Sequence, residues 1–299
     1  MLRAMPASLW ASPARQPAPV KRRRPLAHLP EPGCPCCVSA LGEFTWMAPR
    51  EEPTPSVPDA GARSGGRRRP GAGHRAGRSV GGMRIIIAGG HGQIARLLER
   101  RLADQGHQPV GIVRNPDHAS DLADAGAEAL VLDLEKSGVD QVAEALRGAD
   151  AVVFAAGGGP DSGPERKLTI DRDGAILLAD AAERAGVTRY VMISAMAVDG
   201  FDPDSDDTYE IYQRAKSEAD ADLRARDIDW TIVRPGGLTD DTGTGRIQVG
   251  TSTGRGTIPR ADVAEIVATA LIDGTGVRVQ FEAISGEEPV AEAIAGLRY

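Results

Sequence analysis

Cysteine is scarce in this chain of 299 residues: there are three, Cys34, Cys36 and Cys37, all within one run, CPCC. From Met83 onward there is none, which leaves no disulfide framework and fits a reducing interior. The cluster is one ligand short of a closed zinc site, with His28 the only nearby fourth candidate, and it reads as a chance cluster rather than a metal centre. Long apolar runs are missing as well. Nothing approaches the length of a membrane span, and no signal peptide with a proper apolar core is visible. These absences point to a soluble, cytoplasmic protein with no membrane partner and no metal site. No internal repeat is seen.

The first 82 residues differ from the rest. They hold 13 of the 21 prolines and 10 of the 36 glycines, with basic runs such as KRRRP and GGRRRPGAGHRAGRS and no apolar period of either kind. Such a segment cannot bury enough apolar surface to offset its ordering entropy. It reads as a disordered or untranslated extension, since MRIII at Met83 is a natural start for a first strand. A transit peptide is a second reading, because no acidic residue precedes Glu31, though the prolines oppose an amphipathic helix. A basic nucleic-acid-binding arm is the third. The extension carries 13 basic and 5 acidic residues, a net of +8; the remaining 22 basic and 37 acidic residues give residues 83–299 a net of −15. A body that acidic repels phosphate backbones, which excludes nucleic acid as its partner.

From Met83, runs rich in Val and Ile alternate with stretches of helical period, the pattern of a parallel sheet covered by helices on both faces. The strands are MRIIIAG, PVGIV, EALVLDL, AVVFAAG, RYVMISA, DWTIVRPG and a late RVQFEAI. Ile94, Leu97, Leu98 and Leu102 fall on one face of a first helix, and further helices centre on 140–147, 168–185, 208–226 and 261–272. Crossovers of this length are right-handed, and about 217 residues suffice for one doubly wound α/β domain of Rossmann type over 83–299.

Between the first strand and first helix lies AGGHGQIA, in which Gly89, Gly92 and Ala95 are spaced GxxGxxA. Gly89 permits the sharp turn, Gly92 removes a side chain where a pyrophosphate approaches the backbone, and Ala95 lets the helix pack close to the sheet. A dinucleotide phosphate then rests on the amides of Gly89, Gly90, His91, Gly92, Gln93 and Ile94 at the positive end of the helix. Where NAD-preferring chains place an acid after the second strand, this one has Arg114, whose planar fork suits a 2′-phosphate. The cofactor expected is NADP(H), with NAD(H) possible. Asp133 and Leu134 end the third strand, where a carboxylate can accept from the adenine amino group. Ala155, Ala156 and Gly157 end the fourth, where bulk meets the cofactor or, alternatively, a packed helix.

With the glycine bend, VRNP, DRDGAILLADAAERAGVTRYVMISA, YQRAK and TIVRPGGLTDDTGTG in order, residues 83–299 resemble the atypical short-chain dehydrogenase/reductases, and among them the small NAD(P)H-binding, NAD-dependent epimerase/dehydratase-like group. The resemblance implies a Rossmann fold and NADP(H). It implies roles for Tyr212 and Lys216, which form YxxxK on one helical face: Tyr212 as general acid/base, Lys216 favouring its phenolate and holding the nicotinamide ribose. It implies that Ser194 bonds a substrate oxygen, although relatives commonly continue with a second serine where this chain has Ala195. It also lays Arg234, Pro235, Gly236 and Gly237 against the nicotinamide.

The leading function is hydride transfer to or from a small carbonyl, quinone-like or sugar-derived compound, with Tyr212 exchanging a proton. The alternatives are a non-catalytic NADP(H)-binding redox sensor, an epimerase or dehydratase with tightly held cofactor, and, more remotely, a methyltransferase, which would want an acid where Arg114 stands. The expected partner is a small-molecule substrate, and the expected state is monomer or homodimer.

Overall fold

The computed structural model describes residues 82–159 and 161–297. The readings placed on the extension, the CPCC cluster among them, lie outside those residues.

Strands β1 (Arg84–Ala88), β2 (Gln108–Val113), β3 (Glu128–Val131), β4 (Ala151–Phe154), β5 (Arg189–Ile193), β6 (Asp229–Pro235), β7 (Gly237–Thr239), β8 (Arg246–Gly250), β9 (Thr257–Pro259), β10 (Val279–Ser285) and β11 (Glu288–Pro289) alternate with helices. These are α1 (Gln93–Asp104), α2 (Ala119–Asp124), α3 (Val139–Ala145), α4 (Pro164–Arg166), α5 (Ala175–Ala185), α6 (Thr208–Arg224), α7 (Arg260–Ile272) and α8 (Val290–Gly296). A π-helical stretch, Lys167–Gly174, joins α4 to α5. The main sheet runs β11-β8-β10-β6-β5-β4-β1-β2-β3. Its seven expected strands pair in parallel, and β8 alone runs against them, antiparallel to both β10 and β11. The strand order reverses between β1 and β4, which opens a crevice at their carboxyl ends, where ligands bind in such sheets.

Both faces of the sheet are buried, and the run Ile85–Ile86–Ile87 shows why three consecutive β-branched residues are needed. Ile85 and Ile87 pack with Leu98 and Leu102 of α1, Val263 and Val267 of α7 and Ile294 of α8. Ile86 points the other way, into Val142 of α3, Leu178 of α5 and Leu223 of α6.

The sequence pattern misses β7, β8, β9 and β11, which are short or lie at the sheet's margin, where at most two buried positions leave little alternation to read. EALVLDL is strand only to Val131, so Asp133 and Leu134 sit on the turn beyond it. The first helix also buries a different set of residues. Leu97 is 41 % exposed, and Glu99 occupies the inner face with Ala95, Leu98 and Leu102. Room for its carboxyl exists because Gly90 and Gly111 carry no side chain: a Cβ on Gly111 would stand 2.5 Å from Glu99 Oε1.

Candidate functional site

Gly89 leaves β1 with φ of +81°, and a Cβ there would lie 2.6 Å from Ala156 Cα, so both the turn and the approach of the β1 and β4 ends require glycine. Gly92 is the N-cap of α1 in extended conformation, with no side-chain cap. The first-turn amides of α1 therefore face outward without a capping side chain, at the positive end of the helix.

A cavity of about 370 Å³ opens beside this bend. Gly89, His91 and Gly92 line it from the bend, Arg114 from the end of β2, Asp133 and Leu134 from beyond β3, and Ala155, Ala156 and Gly157 from beyond β4. Nine residues picked from sequence motifs thus share one wall. Gly90, Gln93 and Ile94 do not line it: Gly90 packs on Gly111, Gln93 is exposed, and Ile94 packs against the core. His91 is fixed outside the bend, 2.7 Å from Asp121 and stacked on His118 with ring centroids 3.6 Å apart. The bond from His91 holds the Asp121 carboxyl below its usual range.

A second cluster adjoins the first across the ends of β4 and β5. Lys216 Nζ reaches the Ile193 carbonyl at 3.3 Å and lies 5.5 Å from the Phe154 ring centroid. It also pairs at 3.3 Å with Asp171, whose other oxygen accepts from the Gly158 amide at 3.0 Å. Burial works to lower the Lys216 pKa, but Asp171, together with Tyr212 and Asp220, outweighs it and the net shift is upward. Asp171 belongs to the π-helical stretch, a distortion frequent at functional sites. Lys167, from the same stretch, donates to the Gly159 carbonyl and sits 5.3 Å from the Tyr212 ring centroid.

The Tyr212 hydroxyl has no hydrogen-bond partner among the described residues, which leaves it available. Burial raises its pKa and Lys216 pulls the other way, with a net upward shift, so the phenol is protonated at neutral pH. That differs from the expected dominance of the ammonium, because burial outweighs the pull of Lys216 and the nearby Asp171 carboxylate adds to the upward shift. Ser194 Oγ donates to Asp220 Oδ2 at 2.8 Å, an oxygen shared with Arg234 Nε at 2.8 Å, and Arg234 in turn forks onto Asp199. The Ser194 proton is thus committed inward, and its lone pairs remain. Burial raises the Asp220 carboxyl, against the pull of Arg234. Pro235 and Gly236 are buried at the end of β6; the Pro235 carbonyl accepts from Met196, and Gly236 packs against the Gly256 carbonyl.

Asp171, Lys167 and Asp220 escaped the sequence reading. Asp220 continues the Tyr212–Lys216 spacing by one more helical turn, a signal that was present, whereas Asp171 and Lys167 carry none in the sequence.

A family model described as NAD(P)H-binding matches residues 89–273. Among curated proteins, the "Uncharacterized sugar epimerase YhfK" of Bacillus subtilis is 35 % identical over 216 residues, covering 72 % of this chain and all of its own. A solved Bacillus halodurans structure, named after the NAD-dependent epimerase/dehydratases, superposes with a TM-score of 0.66 at 34 % identity, over 72 % of this chain and all of that one. The structure of ChuY, an anaerobillin reductase from Escherichia coli O157:H7, gives a TM-score of 0.54 at 25 % identity, over 68 % and 97 % of the two chains. The resemblance to atypical short-chain dehydrogenase/reductases and the Rossmann-type fold are both borne out. No helix among the described residues is long and apolar enough to cross a membrane.

Proposed function

This chain belongs to the NAD(P)H-binding family, and on that premise we propose that it is an NADP(H)-dependent oxidoreductase reducing a small carbonyl compound. The cradle fits a dinucleotide on the chain's own terms: a glycine turn that admits no Cβ, an uncapped helix N-terminus and an adjoining cavity of about 370 Å³. Gly89, Gly92, Ala155 and Ala156 would hold it, with Asp133 and Leu134 at the adenine end and Arg114 at a 2′-phosphate. When bound, the reduced nicotinamide supplies a hydride to the carbonyl carbon.

Tyr212 supplies the proton to the carbonyl oxygen, and the phenolate left behind is stabilised by Lys216. Lys216 holds its charge because Asp171 lies beside it, and both sit at the ends of β4 and β5 next to the Gly157 wall of the cavity. The Ser194 hydroxyl donates its hydrogen bond to Asp220, so it positions the substrate by accepting from a hydroxyl, and Tyr212 is the donor to a carbonyl. The observation that carries this reading is the Tyr212 hydroxyl, without a hydrogen-bond partner among the described residues, on the helix whose next turn bears Lys216. The NAD(P)H-binding family model and the Bacillus halodurans structure named after the NAD-dependent epimerase/dehydratases support a nicotinamide cofactor.

The test is NADPH oxidation against a panel of aldehydes, ketones and quinones, using the full chain and Tyr212→Phe. Removing a general acid costs about 10² to 10⁴ in turnover, with NADP⁺ affinity retained. Equal activity in the two proteins would remove Tyr212 from its role. Cofactor binding with no turnover across the panel would favour the redox-sensor reading.

A further inference from the structure

The cavity carries one charge arrangement that the hydride-transfer reading does not use. Arg114, at the end of β2, and Arg166, in α4, both line it, and both turn toward a single carboxylate, that of Glu135. Glu135 Oε2 lies 3.5 Å from Arg114 Nη1 and 3.3 Å from Arg166 Nη2. Charge-assisted hydrogen bonds of good geometry are shorter, about 2.7–2.9 Å, so both guanidinium groups are attracted without being locked. The other oxygen, Oε1, accepts from Thr169 Oγ1 at 2.7 Å. The carboxylate is thus anchored by a neutral hydroxyl while its arginines are held loosely. They are free to turn to another anion without Glu135 losing its own anchor.

We propose that Glu135 is the residue that sets discrimination between the phosphorylated and unphosphorylated nucleotides, acting as an internal counter-anion for Arg114 and Arg166 that a 2′-phosphate must displace. The inference rests on the NADP(H) reading above and adds to it Arg166 as a second ligand of the 2′-phosphate and Glu135 as its competitor. A doubly charged phosphate with three acceptor oxygens outcompetes one carboxylate for two guanidinium forks. NAD⁺ offers two neutral hydroxyls there and leaves the ion pairs standing. Local positive charge matters in a body of net −15, and Glu135 cancels part of it.

A competing role for the same carboxylate is to accept the two ribose hydroxyls of NAD⁺, and it makes the opposite forecast. Dissociation constants for NADP⁺, NAD⁺, 2′,5′-ADP and 5′-AMP are measured by calorimetry on the full chain, wild type and Glu135→Gln. With the internal anion removed, NADP⁺ and 2′,5′-ADP tighten about tenfold, the scale of one charge-assisted contact, while NAD⁺ and 5′-AMP stay within about twofold. Arg166→Ala abolishes that gain in the double variant, which separates release of this arginine from a general loss of negative charge. An unchanged NADP⁺/NAD⁺ ratio, a weakened NAD⁺ with unaltered NADP⁺, or a gain that survives Arg166→Ala each overturns the proposal. The wild-type affinities judge the parent reading separately: if NADP⁺ and 2′,5′-ADP do not bind wild type or Glu135→Gln, both ideas fall together.

Discussion

The two halves of the site treat charge in opposite ways. Around the glycine bend, polar groups border an open cavity and pair through half-exposed contacts, as in His91 with Asp121 or Arg114 with Glu135. Around α6, charges are buried and closed on one another: Lys216 with Asp171 at 5 % and 1 % exposure, Arg234 with Asp220 at 6 % and 0 %. The first arrangement leaves donors for an anion that is not part of the chain. The second fixes side chains before any substrate arrives. A shared sheet edge therefore joins a receptive half to a preorganised one, which is what positioning a cofactor against a proton donor requires.

The contrast breaks most visibly on the buried side. Asp220→Ala leaves Arg234 buried with only Asp199 as partner and strips Ser194 of its acceptor, and its expected cost is about 3–5 kcal/mol of unfolding free energy. Asp121→Ala, on the open side, is expected to cost far less, because solvent screens its pair with His91. Urea unfolding of both variants checks the pair, and equal losses would erase the distinction.

Glu99 lies under the glycine bend and makes stability depend on pH. Burial pushes its carboxyl up to about 8 from an ordinary value of 4.5, and neither oxygen has a hydrogen-bond partner among the described residues. Below pH 4.5 the group is protonated whether the chain is folded or not. Between 4.5 and 8 the unfolded chain releases the proton and the folded chain keeps it, so stability falls as pH rises through that window. The loss reaches roughly 3 kcal/mol by pH 7, and Glu99→Gln removes this dependence. Urea midpoints from pH 4 to 9 that fall equally in wild type and variant would show that Glu99 is not the titrating group.

The smallest expected effect sharpens the comparison at its centre. The chain has four lysines, so lysine-selective NMR can follow each ammonium through its titration. Asp171→Asn should lower the Lys216 titration. A Lys216 signal that does not move would mean Asp171 contributes packing alone.

How much of this the sequence disclosed follows the same division. The glycine bend, Arg114 and the residues ending β3 and β4 were legible because their chemistry depends on spacing along a strand–turn–helix unit, where neighbours in sequence are neighbours in space. Tyr212 and Lys216 share a helical face by their spacing, but the roles proposed for them come from the family resemblance. Asp171, 45 residues before Lys216, meets it only once α6 docks on the π-helical stretch, and no local periodicity encodes that meeting. Leu97 misled for a related reason. Helical spacing placed it on the buried stripe, but Gly90 and Gly111 left a pocket that turned Glu99 inward instead. The strands β7 and β9, which form a separate two-stranded sheet, and the margin strands β8 and β11 stayed hidden because they are short and offer little alternation to read.

The central claim is that the bend at Gly89–Gly92 grips the diphosphate of a nicotinamide nucleotide. Amide NMR of the full chain titrated with NADP⁺ tests it directly. The account predicts saturable shifts that are largest at the amides of residues 89–94, extending to Arg114 and Ala155–Gly157. Shifts confined elsewhere, or none at saturating nucleotide, would contradict it.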